Sequence, residues 1–308
     1  MPDLGVKLTD RRMKNLDKRL QGIYRAAYEK AIESEKAAIG KLARLEERLK
    51  EMGVYEDYEK MMPVFGQKVM RETNIVNNIA AEIARSGETA AKIIQGEMLD
   101  VCDINLDWSR FSVDKAAGVF IDWTIYDKNQ LKVLLQEGQP PFTKIAYKNL
   151  GKNKKIVQDL QNQLTQAVML GESQQQITRR IRDVSDMSYK RAKRIAQTER
   201  NRVQSQARFM GMQEAENIGV EMSKQWLSRM DSKVRDDHAS VTGEIVDNDK
   251  PFSNGLMFPG DPNGEPGQVI NCRCVLAPKV KRVPESVKRY REKMQRDYGF
   301  DEWRERRA

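Results

Sequence analysis

At 308 residues the chain has room for one large or two modest domains, but 39% of it is apolar and 32% charged, against roughly 45–50% and 25% in an average globular protein. That balance excludes a thick core throughout and favours long exposed helices beside a smaller packed part. No run approaches the ~18 apolar residues of a membrane span, and the opening MPDLGVKLTDRR has no apolar stretch of signal-peptide type, so neither a membrane protein nor a conventionally secreted one is expected.

The net charge of +9 is unevenly placed. Ten Lys/Arg face three acids between Thr178 and Arg208, and eleven face six between Lys279 and Ala308. The remainder is net acidic. Basic charge gathered in two segments is the pattern of a chain that meets phosphates or an acidic protein surface. Three cysteines, one of them isolated at Cys102, do not make a disulfide framework. Reduced thiols in a cytoplasm are expected.

In chain order, Thr9 to about Met52 reads as one amphipathic helix of coiled-coil type. Met13, Leu16, Leu20, Ile23 and Ala27 recur at three-four spacing, as do Leu42, Leu45, Leu49 and Met52, with a weaker seam between Lys30 and Ala37. Packing on its own neighbour is favoured over an intermolecular coiled coil. Gly53 and Pro63 end it. Phe65 to Arg85 is a second helix, Ser86-Gly87-Glu88 a turn, and Thr89 to Val101 a third helix. Cys102 to Tyr126 carries strand-type residues, including Trp108, Phe111, Val119 and Ile121. Asn129 to Gln136 is a short helix, stopped by Gly138 and Pro140-Pro141. A loop and boundary fall between Gly138 and Lys155.

Three further helices follow. Ile156, Leu160, Leu164, Val168 and Met169 define the first, closed by Gly171. Ser173 with Gln176 in capping-box position opens the second. Ser188 begins the third, which runs past Gln213 along a stripe of small residues. Short strands, KQWLS and VTGEIV, flank the Asp231–His238 region, and a helix from Pro284 to Asp297 ends a basic tail. The fold class expected is mainly α with a small α+β C-terminal domain: extended N-terminal helices plus a module centred on a β-hairpin. The segments are 1–145, 146–278 and 279–308.

The stretch from Trp226 to Ala277 holds the one histidine, His238, and two cysteines, Cys272 and Cys274. They bracket a Pro/Gly loop from Pro251 to Gly267. So long a loop needs its ends pinned, by a metal or by a hairpin base with a buried Cys pair. Imidazole and thiolate suit zinc, with Asp231, Asp236 or Asp237 as a fourth ligand. A hydrogen-bonded histidine beside two packed thiols is the alternative. A zinc deaminase would need H-x-E and P-C-x-x-C, whereas His238 precedes Ala239-Ser240 and the cysteines are C-x-C.

Nine cations are candidates for DNA contact: Arg179, Arg180, Arg182, Lys190, Arg191, Lys193, Arg194, Arg202 and Arg208. Such contacts give salt-sensitive affinity without sequence preference. The alternative is a solvated helix face with local pairs, Glu199 among them. Thr198-Glu199 reads as a polar contact between helices. Tyr290, Tyr298, Phe300 and Trp303 lie among the arginines of the tail, where docking onto protein is favoured over stacking on bases.

The pattern D-x-x-V-R-x-x-H (Asp231, Val234, Arg235, His238), then Gly243, Pro251-Phe252, Pro259-Gly260 and Asn271-Cys272-Arg273-Cys274, resembles the signature of the phage Mu protein F-like, or phage head morphogenesis, family. IAQTERNR (Ile195 to Arg202) extends the likeness upstream. Within that family the length suits the portal-associated minor head proteins of siphophages infecting Bacillus. Arg235 and Val269 stand where other members carry a cysteine and a histidine. The resemblance implies a virion protein inside the capsid near the portal, made in the host cytoplasm. Its implied role is in head morphogenesis and the retention and ejection of DNA. The portal protein and double-stranded DNA are the partners implied, with scaffold or major capsid protein as further candidates. No catalysis is expected. The contrasting readings are a metal-dependent nuclease or toxin-like effector using His238, Asp231 and Asp237, and a host nucleoid or scaffold protein forming coiled-coil oligomers.

Overall fold

The structure, a computed structural model, describes residues 3–54, 75–151, 154–170, 172–289, 291–295 and 297–307. The first helices are α1 (Leu4–Glu51), α2 (Ile75–Ala117), α3 (Lys128–Glu137), α4 (Pro141–Gly151), α5 (Lys154–Met169) and α6 (Gln174–Asn217). Strand β1 (Glu221–Leu227), helix α7 (Asp236–Ser240) and strand β2 (Ile245–Asp247) come next, then helix α8 (Pro266–Val269) and strand β3 (Val275–Arg282). Helices α9 (Glu285–Lys288) and α10 (Phe300–Arg307) end the chain. This is the expected class, mainly helical with a small antiparallel sheet near the C-terminus. Of the helix expected over Phe65 to Arg85, residues 75–85 are described and lie in α2; the stop at Pro63 and the roles of Gly171 and Tyr290 lie outside the described residues, as do the side chains of Leu42, Leu45, Ile156, Val168 and Met169.

Two compact units are present, each assembled from separated stretches of the chain. One comprises 1–16, 94–144 and 194–308, the other 17–93 and 145–193. In the second unit Ala31 of α1, Ile79, Ala80 and Ile83 of α2, Leu160 and Leu164 of α5, and Ile181 and Val184 of α6 form the core. The seam of α1 runs Leu16, Leu20, Tyr24, Ala27, Ala31, Glu35, all buried, so it persists between Lys30 and Ala37. Ala31 and Glu35 carry it there, with Glu35 accepting from Thr178 Oγ1 at 3.2 Å. At the C-terminus of α1, Gly53 at φ +72° lets Val54 N reach Leu49 O and Gly53 N reach Lys50 O, the double closure of a left-handed helix stop.

Four expectations are corrected. Ser86-Gly87-Glu88 is not a turn: α2 runs through it, and Ser86 Oγ donates to Ile83 O at 2.7 Å. Cys102 to Ala117 is helix, not strand. Its residues are buried on nearly every face, from Val101 and Cys102 through Asn105, Trp108, Arg110, Phe111 and Asp114. A helix buried all round shows no polar stripe, and aromatic and β-branched residues then mimic a strand. Ser188 likewise starts no new helix; its hydroxyl donates back to Val184 O at 3.0 Å, inside an α6 that runs unbroken over 44 residues. Finally, GQPPF opens α4 instead of a loop, since proline at a first helical position costs nothing.

The other unit holds the sheet, ordered β2-β1-β3, all antiparallel. Gln225 pairs with Ile245 on one side of β1, and Trp226 with Leu276 on the other. Trp226, Phe252, Leu256, Phe258, Cys272, Cys274 and Leu276 share one core with Met212 of α6. The Pro/Gly loop is thus held by its own aromatics; Phe252 N also donates to Leu256 O at 3.0 Å.

Among its described residues the tail forms no helix over Pro284 to Asp297 beyond the single turn of α9. Instead it docks. Phe300 and Trp303 of α10 pack on Trp108 and Phe111 of α2, and Trp303 Nε1 donates to Asp114 Oδ2 at 2.8 Å. Arg304 holds Asp103 at 2.5 Å and Asp107 at 2.9 Å, and Arg307 also pairs with Asp107. Trp303→Ala is therefore expected to cost about 3–5 kcal/mol in denaturant unfolding. Removal of Arg306, an exposed partner of Glu292, should leave the midpoint unmoved.

Candidate metal centre and basic helix

β1 delivers Trp226, α7 delivers His238, and the segment before β3 delivers Cys272 and Cys274. Asn271 makes this placement possible, because its φ of 59° is a left-handed conformation that asparagine tolerates better than most residues. Its N–H donates to Thr198 Oγ1 of α6 at 3.0 Å. Gly260, at φ +80°, packs so closely on α6 that a Cβ would lie 3.0 Å from Arg202 N. The IAQTERNR stretch and the Pro/Gly loop therefore meet in space.

His238 Nδ1 lies 3.5 Å from both Cys272 Sγ and Cys274 Sγ. All three side chains are buried, and their ligand atoms lie within 4.8 Å of one another. The His238 ring stands edge-on to Trp226, 5.1 Å between centroids. Between the thiols the Cys274–Cys272 hydrogen bond holds the Cys272 thiol below its usual range, against burial and with help from His238, while the same bond and burial push Cys274 up.

The donor set fits zinc in part. Two sulfurs at about 2.3 Å and a nitrogen at about 2.0 Å in a tetrahedron would stand about 3.5 Å apart, S to N, which is the spacing present. The far nitrogen, His238 Nε2, is buried without a hydrogen-bond partner, and Asp237 Oδ2 stands 3.9 Å from it. A carboxylate behind the ligating ring is the usual outer partner of a metal-bound histidine. The expected fourth ligand is not assembled among the described residues. Asp231 is gripped by both Nη atoms of Arg273 at 2.6 Å, which hold its carboxyl down at about 2. Asp236 is exposed, and Asp237 lies on the wrong edge of the ring. Of the acids in the nuclease reading, Asp231 is thus held by Arg273 and Asp237 stands beside His238 Nε2. At the two positions that depart from the family pattern, Arg235 donates to Ile270 O at 2.6 Å and Val269 is buried.

The nine candidate cations divide. Arg179, Arg182, Lys190, Arg191 and Arg194 are exposed on α6. Lys193 is half-buried and bound to Asp17 at 2.8 Å, and Arg180 is bound to Glu172 at 2.5 Å. Arg202 and Arg208 are corrected outright, because both are buried. Arg202 pairs with Glu199 at 2.9 Å and donates to Gln206 Oε1 and Gly138 O. Arg208 donates to Asn105 Oδ1, Asp3 and Leu276 O. Neither can reach a phosphate. Arg200, buried beside Asp10 at 2.5 Å, belongs with them. Two residues that drew no notice in the sequence also sit inside: Arg110, bonded twice to Glu214, and Lys224. The latter lies on the Phe209 and Phe252 rings and is pulled by burial to about 8.

His238, Cys272, Cys274 and all of α6 fall within a stretch that resembles known proteins. Residues 158–277 match the model of the family described as Phage Mu protein F like protein, the family expected from the sequence. Among curated proteins, a 142-residue stretch is 28% identical to minor head protein GP7 of Bacillus phage SPP1, covering 44% of this chain and 45% of that one. A 152-residue stretch is 30% identical to a protein of Enterococcus faecalis named NAD(+)--arginine ADP-ribosyltransferase EFV, covering 48% and 31%. An uncharacterized protein of Haemophilus influenzae is 29% identical over 132 residues, 42% and 26%. The chain spans less than half the length of each of these relatives. No solved structure matches.

Arg208→Ala is expected to destabilise the fold by about 3–5 kcal/mol, because it strands buried acceptors and a carboxylate. Arg191→Ala should stay within about 0.5 kcal/mol. Parallel denaturant titrations of the two variants check the division of the arginines.

Proposed function

We propose that the chain is a minor head protein of a tailed phage, lying inside the capsid near the portal. There it joins the portal protein to packaged duplex DNA, without sequence preference and without catalytic turnover. One observation carries this reading: the family match over 158–277, together with the likeness to a minor head protein. The exposed cations of α6 supply the chemistry for phosphate contact. In the tail, Arg304 and Arg307 are held by Asp103 and Asp107, whereas the pairs of Lys281, Arg282 and Arg306 are exposed and add to the same chemistry.

The relative named as an ADP-ribosyltransferase shares only 31% of its length with this chain, so its activity is not carried over. The three-residue centre is read as a structural zinc site. The ion would tie α7 to the segment before β3, cross-linking residues 34 and 36 positions apart in sequence.

A pull-down with purified portal protein tests the reading. Capture is expected, and duplex retention should fall steeply between about 50 and 200 mM salt. Failure of both would remove it. With labelled NAD and an arginine-bearing acceptor no transfer is expected, and transfer would make the chain an enzyme. Elemental analysis should find about one zinc per chain. Cys274→Ser should lose that zinc and melt at lower temperature, whereas a metal-free wild type that melts unchanged in chelator would leave the thiols as packed hydrophobes.

A further inference from the structure

Within the unit formed by 17–93 and 145–193, α1 and α6 run antiparallel and close on each other. Ser185 Oγ donates to Tyr24 O at 3.2 Å and Lys193 bonds Asp17. Along one side of this pair lies a cleft of about 510 Å³. Its rims are cationic, with Lys18 and Arg25 on α1 and Arg182 on α6. Its floor holds three tyrosines, Tyr24, Tyr28 and Tyr189, and Asp186 is the one acid lining it. At α-helical spacing, Arg179 and Lys190 continue the stripe of Arg182 and Asp186 on the same exposed face of α6. A Cβ on Gly22 would meet nothing within 4 Å, so the α1 rim is open.

We infer that this cleft is a seat for the phosphate backbone of duplex DNA, with Lys18 and Arg25 of α1 acting alongside Arg182. The inference rests on the DNA-contact reading above and adds residues from a helix that the sequence analysis assigned to protein packing. What distinguishes backbone from base is the state of the tyrosines. Arg182 lies over the Tyr28 ring, 5.5 Å to its centroid, with one Nη 3.3 Å from Tyr28 Oη. Lys193 lies over Tyr189 at 5.7 Å, and Tyr24 meets Tyr189 edge-on at 6.4 Å. Tyr189 Oη is spent on Asp17 at 2.7 Å and accepts from Gln21 at 3.0 Å. Ring faces that hold cations cannot also stack bases. The aromatics therefore orient the positive charges, in contrast to the open stacking platforms of single-strand binders.

The rim cations are available to an anion. Arg25 is 80% exposed and its partner Glu29 58%, and a pair so exposed gives way readily to a phosphate. Guanidinium and ammonium groups on both rims would straddle a strand of phosphates, whereas the one acid opposes a negatively charged protein surface no less than it opposes DNA. Phosphate is favoured because two rims of cations match a repeating charge.

The test compares wild type with the double variant Lys18→Gln/Arg25→Gln, full chain, on a 30-base-pair duplex by fluorescence anisotropy across salt. These side chains are exposed, so the thermal melt should be unchanged. Expected is a duplex affinity about tenfold lower at low salt, with the slope of log K against log salt shallower by about 2. An unchanged slope with intact wild-type binding overturns the cleft and leaves α6 alone as the contact. Tighter binding of the single strand than of the duplex overturns the backbone assignment. Wild type that binds neither removes both this seat and the DNA-contact reading on which it rests.

Discussion

The fold of the sheet-bearing unit depends on one guanidinium. Arg208 projects from α6 and donates to Asn105 of α2, to Asp3 ahead of α1, and to the carbonyl of Leu276 in β3. Three separated stretches of chain thus meet α6 at one side chain with no exposed surface. The pairing stands because every acceptor offered to the cation is used. A buried charge with all its donors satisfied costs little, whereas an unpaired one costs several kcal/mol. Small residues let the helices come near enough for it. A Cβ on Gly5 would lie 2.8 Å from Arg208 Nη2, and one on Gly211 would lie 2.8 Å from Ser109 Cβ.

The same economy governs the join between α6 and the Pro/Gly loop. Thr198 takes the N–H of Asn271, Gly260 presses on Arg202, and Arg202 is neutralised by Glu199, which also accepts from Gln139 at 3.1 Å. Thr198, Glu199, Asn271 and Gly260 come from motif pieces some sixty to seventy positions apart. Together they hold Cys272 and Cys274 opposite His238. Seating the loop on the helix in this way is what brings the candidate ligand trio together.

Much of this was legible from the chain, and the failures share a cause. Helix α1, the capping stop at Gly53, strands β1 and β2, and the convergence of His238 with Cys272 and Cys274 all followed from periodicity, turn chemistry or residue type. What misled was burial of polar groups. Asn105, Asp107, Arg110 and Asp114 along α2 erased the polar stripe that would have marked a helix, so Trp108, Phe111 and Val113 read as a strand. Along α6 the opposite error arose. A run dense in arginine reads as a surface, yet Arg200, Arg202 and Arg208 point inward to acids that the sequence places almost two hundred residues away, at Asp10 and Asp3, or three residues away, at Glu199. Long-range pairing leaves no local trace. Ser86 and Ser188 deceived for a smaller reason. A serine that bonds its own preceding turn is silent in a helix interior but looks identical to a cap.

The charge excess between Thr178 and Arg208 is therefore two populations on one helix, and the difference matters for what the chain can grip. Counterion release scales with the phosphates a protein neutralises, not with its formal charge. The inward arginines release no ions, because carboxylates of this chain already compensate them; they add to stability and leave the salt dependence untouched. In the DNA contact proposed above, the exposed cations on α6 and those facing them on α1 are the ones that count. A chain of net charge +9 then behaves toward DNA as a ligand of a few contacts, and weak, non-specific and readily reversed attachment follows from so small a number.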